Sequence, residues 1–134
     1  MHPPAGTPAP VPPALHGDQA HPGQAQGWVE SRLYFGLGPA DHPEKRIDDA
    51  QWRDFLNKEV TPRFPAGLSV LDVYGRWQDK KQSSPERLRL KLLIIDHSDT
   101  QEDSGRIEAV RASWKQCTGD QSALAVTEPA DVSF

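Results

Sequence analysis

The sequence predicts an α+β fold in which four strands and two helices follow one another in the order β-α-β-β-α-β. Two kinds of observation support this order. Apolar and polar residues alternate over residues 31–38, 68–78 and 87–95, as in half-buried strands, and residues 122–129 are assigned as the fourth strand. Two segments between them space their apolar residues three and four apart, as in amphipathic helices. Right-handed crossovers in both β-α-β halves then give a ferredoxin-like plait, a four-stranded antiparallel sheet with both helices on one face.

The first 27 residues differ in composition from the rest of the chain. They hold seven of the 13 prolines and no Lys or Arg. Such a segment buries too little apolar surface to offset the entropy of ordering it. We therefore predict a disordered Pro/Ala/Gly-rich tether over residues 1–27 and a folded domain over residues 28–134. Its histidines, His2, His16 and His21, fit a loose metal-binding tract or solvated linker residues, and the composition favours the linker.

The first strand and the first helix have clear boundaries. Leu33, Phe35 and Leu37 alternate with Tyr34, which places Tyr34 on the opposite face of the strand. Asp48 is a good N-cap, and a glutamine three residues later completes the pattern of a capping box. The helix is expected to end near residue 61, because Pro62 disfavours helical geometry in the residue before it. Phe64, in the following Pro/Gly-rich corner, is predicted to plug the core.

The second half of the chain repeats the strand and helix patterns. In "RLRLKLLII", residues 87–95, leucines at even positions alternate with Arg89 and Lys91. The second helix, over about 104–117, carries an apolar stripe. This stripe consists of Ile107, Val110, Trp114 and Cys117. Gly119 is expected to end that helix in the left-handed conformation, and Cys117 is expected to be a buried, inert thiol.

Composition limits the classes of function. The net charge is −4 and no basic run occurs, so a general nucleic-acid surface is not predicted. A single cysteine excludes an internal disulfide and a multi-cysteine metal site. The longest apolar run, residues 92–95, is strand-sized, so no transmembrane segment is predicted. Neither a cofactor-binding motif nor an export signal is present, which fits a cytoplasmic protein, or a periplasmic or secreted one whose signal has been trimmed.

Three blocks match one known family in the same order. They are "LYFGL" in the first strand, "EVTPRFPAGLSVLDVYGRW" across residues 59–77, and "IEAVRASWKQCTGDQSALAV…VSF" at the end. Together they resemble a bacterial family of small, often exported proteins that is catalogued as a domain of unknown function. The resemblance covers about residues 28–134. It implies no reaction, so no catalytic residue follows from it.

The sheet face opposite the helices is the predicted functional surface. That face carries six polar or aromatic side chains if the alternating apolar residues point at the helices, namely Leu33, Phe35, Leu71, Val73, Leu90 and Leu92. The six side chains are Tyr34, Asp72, Tyr74, Arg76, Arg89 and Lys91. Such a set suits a homodimer interface, a solvated face with cross-strand ion pairs, or a site for a small anionic or aromatic ligand.

Two functions from different classes remain open at this point. The first is a non-enzymatic binding or interaction domain that uses the open sheet face. The absence of a paired acid–base motif favours this function. The second is a small enzyme of the dimeric plait type with a pocket that uses Tyr34, Asp72 and Arg76. Asp72 is the best candidate for a general base, although a mid-strand aspartate more often joins a cross-strand ion pair. His97, in "DHSD", fits a metal or proton-transfer role or simply the turn before the second helix.

Overall fold

The computed structural model describes residues 24–42, 44, 46–77 and 86–133, and the predicted tether over residues 1–27 lies largely outside these residues. Within them, β1 (Gln24–Pro39), β2 (Ser69–Trp77), β3 (Glu86–Ser98) and β4 (Leu124–Ser133) form one antiparallel sheet in the order β2-β3-β1-β4. The helices are α1 (Asp49–Phe55), which continues as a π-helical turn over Leu56–Val60, and α2 (Gln101–Thr118). The predicted α+β plait is therefore confirmed. β1 begins four residues before the predicted domain boundary at residue 28.

The helix boundaries follow from capping. Asp48 Oδ1 accepts from the Gln51 backbone N–H at 2.8 Å, and Gln51 Oε1 accepts from the Asp48 backbone N–H at 2.9 Å, so the predicted capping box is present. α2 begins three residues earlier than expected, because Thr100 accepts from the Asp103 N–H and serves as its N-cap. It ends at Gly119, whose φ of 75° is the left-handed geometry predicted for it.

The core lies between the sheet and the two helices and is mainly aromatic. Phe35 on β1, Trp52 and Phe55 on α1, and Trp114 on α2 pack with ring centroids 4.9 to 5.8 Å apart. All four rings are buried, as expected for Trp114 from its place in the apolar stripe of the second helix. Rings at these distances and tilts add edge-to-face attraction to the burial of their large apolar area.

A series of hydrogen-bonded polar side chains lies at the other end of the core. His97 is buried beneath the helices, and its ring packs against Phe64, the predicted plug, at a centroid distance of 5.8 Å. His97 Nδ1 bonds to the Ser98 carbonyl at 2.8 Å, which leaves Nε2 to accept from the Ser31 hydroxyl at 2.7 Å. Ser31 also bonds to Thr127 at 2.7 Å. Of the two roles considered for His97, this satisfied and buried arrangement supports a structural one.

Candidate functional site

The sheet face opposite the helices, called the open face here, is mainly apolar. Antiparallel pairing aligns side chains in rows that run across the strands. The central row joins all four strands through Leu71, Leu92, Tyr34 and Leu124. The rows on either side add Val73, Leu90, Ile94 and Val126. Leu71, Leu124 and Val126 are 44%, 59% and 40% exposed, so the apolar surface is accessible to a partner.

This register corrects the residues that the sequence assigned to the open face. Of the six candidates, Tyr34 alone lies there in the central row. Lys91 pairs with Phe35, Asp72 pairs with Lys91, and Tyr74 pairs with Arg89, so all these side chains belong to the helix side of the sheet. By register Arg76 falls on that same side, but it lies near the end of the edge strand, where it also borders a groove that opens on the other side of the sheet. The predicted phase was right for β1 and wrong for β2 and β3.

The displaced polar residues form their own contacts on the helix side. Lys91 is buried, with its ammonium 2.5 Å from Asp72 Oδ1 and 3.9 Å from Asp49 Oδ1. The hydrogen bond from Lys91 lowers the pKa of Asp72. Arg89 lies over the Tyr74 ring at 5.7 Å from its centroid. Asp72 is therefore a cross-strand ion-pair residue rather than a free general base.

One end of the open face is acidic. Glu30 pairs with both Asp96 and Glu128, which places three carboxylates in one row. Arg32 bonds to Glu30 at 2.8 Å and to Glu128 at 2.7 Å. Partial burial, together with a hydrogen bond shared with Glu30, raises the pKa of Asp96. One arginine among three carboxylates leaves this end with a net negative charge.

The opposite end of the open face is concave. A groove of about 690 Å³ crosses the sheet there, bounded at one side by Arg76 on the edge strand and at the other by the loop of residues 119–122. Gly36 leaves part of its floor without a side chain, and Tyr34, Leu88, Leu90 and Leu124 give it an apolar lining. The sequence pattern did not reveal this groove, because its loop wall and its glycines lie in three separate segments that only the folded sheet brings together.

The groove contains only part of the predicted enzyme site. Tyr34 and Arg76 both line it, whereas Asp72 lies on the other side of the sheet. Asp120 lines the groove and supplies its carboxylate instead. Trp114 Nε1 donates a hydrogen bond to Asp120 Oδ2 at 3.2 Å. The set Tyr34, Asp72 and Arg76 is therefore not assembled in one cavity.

A second cleft of about 380 Å³ lies between α1 and α2 and corrects the prediction for Cys117. The cleft is lined by Phe55, Lys58, Trp114 and Cys117, among others. Cys117 is exposed rather than buried, because the apolar stripe of α2 turns away from the sheet before its last turn. Within the described residues, no group of three His, Cys, Asp or Glu side chains is placed to hold a metal ion. No helix there is long and apolar enough to cross a membrane.

Comparisons with known proteins place this geometry in context. A family model described as "Protein of unknown function (DUF3574)" matches residues 30–134 and confirms the resemblance to a family of unknown function. Comparison with curated proteins finds no match. Among solved structures, a phage SAM lyase in complex with S-methyl-5'-thioadenosine is similar, with a TM-score of 0.59 and 13% sequence identity. The alignment covers 81% of this chain and 91% of the lyase chain, and at this identity it shows a shared fold.

Proposed function

The chain belongs to the DUF3574 family, and we propose that it is a small interaction domain that forms a homodimer through its open face. The observation that carries the proposal is the central row of Leu71, Leu92, Tyr34 and Leu124. Among the residues that the structure describes, both helices lie on the other side of the sheet. An uncovered apolar surface of this kind is typical of a protein–protein contact.

The size of the open face supports a standard interface. Strands of nine or more residues extend about 30 Å, and four strands spaced by about 4.8 Å make a sheet roughly 20 Å wide. The projected area is then about 600 Å², before the relief of the side chains is added. Stable specific interfaces bury about 800 Å² per partner. With the relief of the side chains added, the open face is therefore close in area to what one partner buries in a stable interface.

The charge at one end of the sheet favours one orientation of the copies. Glu30, Asp96 and Glu128 make one end of the open face acidic. A two-fold axis in the plane of the sheet and perpendicular to the strands keeps the acidic end of each copy away from the acidic end of its partner. Avoidance of like charges guides the orientation of association more than it adds affinity.

Sedimentation equilibrium tests the proposed dimer. At ~100 μM, where even a micromolar complex forms, we expect the wild type to be dimeric. Leu71→Glu and Val126→Glu, both at partly exposed positions of the open face, should give monomers because they bury unpaired charge. Tyr74→Glu is the matched control, since Tyr74 is exposed on the helix side and should leave the dimer intact. A monomeric wild type, or dissociation by the control alone, would contradict the proposal.

A second candidate function is an enzyme that acts on a small molecule in the groove. The specific observation in its favour is that Tyr34 and Arg76 line one concave, largely apolar cavity of suitable size. The name of the structural neighbour, a SAM lyase, supplies the first substrate to try. Incubation with SAM, followed by chromatographic detection of S-methyl-5'-thioadenosine, tests this candidate. Product formation that Tyr34→Phe or Arg76→Gln abolishes would support it, and no product above the protein-free rate would exclude this reaction.

A further inference from the structure

The loop that walls the groove is fixed from behind by helix α2. Arg111 Nε donates to the Ala123 carbonyl at 2.8 Å, and Trp114 Nε1 donates to Asp120 Oδ2 at 3.2 Å. Thr118 Oγ1 accepts from the Asp120 backbone N–H at 3.1 Å. These three bonds hold the Asp120 carboxylate in place without help from a ligand. A group that is already oriented loses little conformational freedom on binding.

Gly36 keeps the space in front of this carboxylate open. A Cβ at Gly36 would lie 3.9 Å from Asp120 Oδ2, so the carboxylate stands directly beside the bare backbone of β1. At Gly75 a Cβ would come within 2.8 Å of Leu90 Cδ1, so the Leu90 side chain already covers that glycine. The open part of the floor therefore lies over Gly36, between the apolar side chains of Tyr34 and Leu90, and it can accept a planar ring.

The charge near Asp120 decides which kind of ligand fits. Within the described part of the chain, its one side-chain partner is the neutral indole of Trp114, so no cation compensates the carboxylate. Arg76 lies on the far side of the groove, on β2, which is two strand spacings or about 10 Å from β1, where Asp120 stands beside Gly36. At that distance, which exceeds the screening length of ~8 Å in physiological salt, the two charges interact weakly.

We propose that the groove binds an aromatic amine, with its ring on the glycine floor beside Tyr34 and its ammonium group on the Asp120 carboxylate. A charged donor to a carboxylate is about twice as strong as a neutral hydrogen bond. The Tyr34 ring adds aromatic or cation–π attraction. This inference goes beyond the proposed homodimer and does not depend on it, because one chain supplies every group of the site. Since Tyr34 and Leu124 belong to both surfaces, the ligand and a second copy compete for them.

Titration by nuclear magnetic resonance with three indole probes tests the proposal. Tryptamine carries the ammonium, tryptophol replaces it with a hydroxyl at the same length, and indole-3-propionate carries a carboxylate. We expect tryptamine to bind about five-fold more tightly than tryptophol, the upper range for a partly exposed ion pair. The shifted backbone resonances should be those of Gly36, Gly75 and residues 119–124.

Variants separate this site from other causes. Asp120→Asn keeps an oxygen for Trp114 and should bring tryptamine down to the affinity of tryptophol, whereas Asp131→Asn, outside the groove, should change neither. Leu71→Glu also lies outside the groove, so binding that persists in it shows independence from the dimer. Shifts elsewhere on the surface, equal affinities for tryptamine and tryptophol in the wild type, or a preference for indole-3-propionate that Arg76→Gln removes would overturn the proposal.

Discussion

Lys91 and Asp72 join β3 to the edge strand β2 through an ion pair of 2.5 Å on the helix side of the sheet. The two partners differ in their surroundings, since the Lys91 side chain is 10% exposed and that of Asp72 is 59% exposed. Asp72 therefore loses little hydration in the folded state. Lys91 depends on the Asp72 carboxylate to compensate its nearly buried charge.

Removal of the aspartate should cost stability. For Asp72→Ala we expect the free energy of unfolding to fall by about 1–3 kcal/mol, the range for a buried polar group that loses its partner. Asp54→Ala is the matched control, because Asp54 forms an exposed i,i+4 pair with Lys58 at 2.9 Å, and such pairs contribute about 0.3–0.5 kcal/mol. Urea unfolding measures both. Equal losses for the two variants would show that the burial of Lys91 does not matter.

The same pair predicts a dependence on pH. The Lys91 hydrogen bond lowers the pKa of Asp72 in the folded state, so this carboxyl contributes stability above the unfolded aspartate pKa of about 3.9. That contribution is lost as the pH falls through the lower folded-state pKa. The stability difference between the wild type and Asp72→Asn should thus be largest at pH 5–7 and should shrink from pH 4 to pH 2. A difference that stays constant down to pH 2 would contradict the coupling.

The order of strands and helices along the chain was predictable because the signal for each element is local. Asp48 with Gln51 sets one helix start, Gly119 sets the end of α2, and alternation identifies β1. Long-range pairing then decides the ladders that local signals cannot specify. The start of β1 at Gln24 illustrates this limit, since those first residues are in a strand only because they pair with the end of β4.

The phase of β3 could not be read from its polar residues. In an ordinary half-buried strand the side with Arg89 and Lys91 faces water. Here the central strand is apolar on both faces, with Leu93 and Ile95 in the core and Leu92 on the open face. Lys91 is accommodated on the buried side because Asp72 compensates it. Because the open face is apolar, the polar side of β3 faces the helices and not water. Only the pairing register of the strands shows this orientation.

Trp114→Ala should be among the most destabilising single changes in the domain. Trp114 is 1% exposed and contacts three other aromatic rings. Truncation of such a side chain costs about 3–5 kcal/mol. Trp114→Phe keeps a ring but removes the donor to Asp120, so we expect a smaller loss. A shift of the urea midpoint near zero for the alanine variant would contradict the packing described here.

Gly105, inside α2, and Gly119, at its end, should change the stability of the protein in opposite directions when each is replaced by alanine. Gly119 has a φ of 75°, and an L-residue in that conformation costs about 1–2 kcal/mol, so Gly119→Ala should destabilise the protein. Gly105 lies inside α2 with open space around its Cβ position, so Gly105→Ala should stabilise it by about 0.5–1 kcal/mol. Thermal and urea unfolding of the two variants should move in opposite directions. The same sign in both would show that the helix end is placed wrongly.

Cys117 offers a rapid check of the α1–α2 cleft. Because its side chain is exposed in the native state, a thiol reagent such as dithionitrobenzoate should label it within minutes without denaturant. Labelling that requires urea would place this cysteine back in the core. Prior labelling should not prevent folding, since no core residue depends on the thiol.

The four packed rings of the core also give the protein an optical signature. Trp52 and Trp114 meet edge to face at 5.7 Å, close enough for their electronic transitions to couple. One ring comes from α1, the other from α2, and Phe35 joins both to the sheet. Their near-ultraviolet circular dichroism therefore appears only when both helices are docked on the sheet, and it disappears in a collapsed state that keeps its helices but has lost fixed packing. The indoles thus act as an intrinsic spectroscopic gauge of tertiary assembly, without any added label.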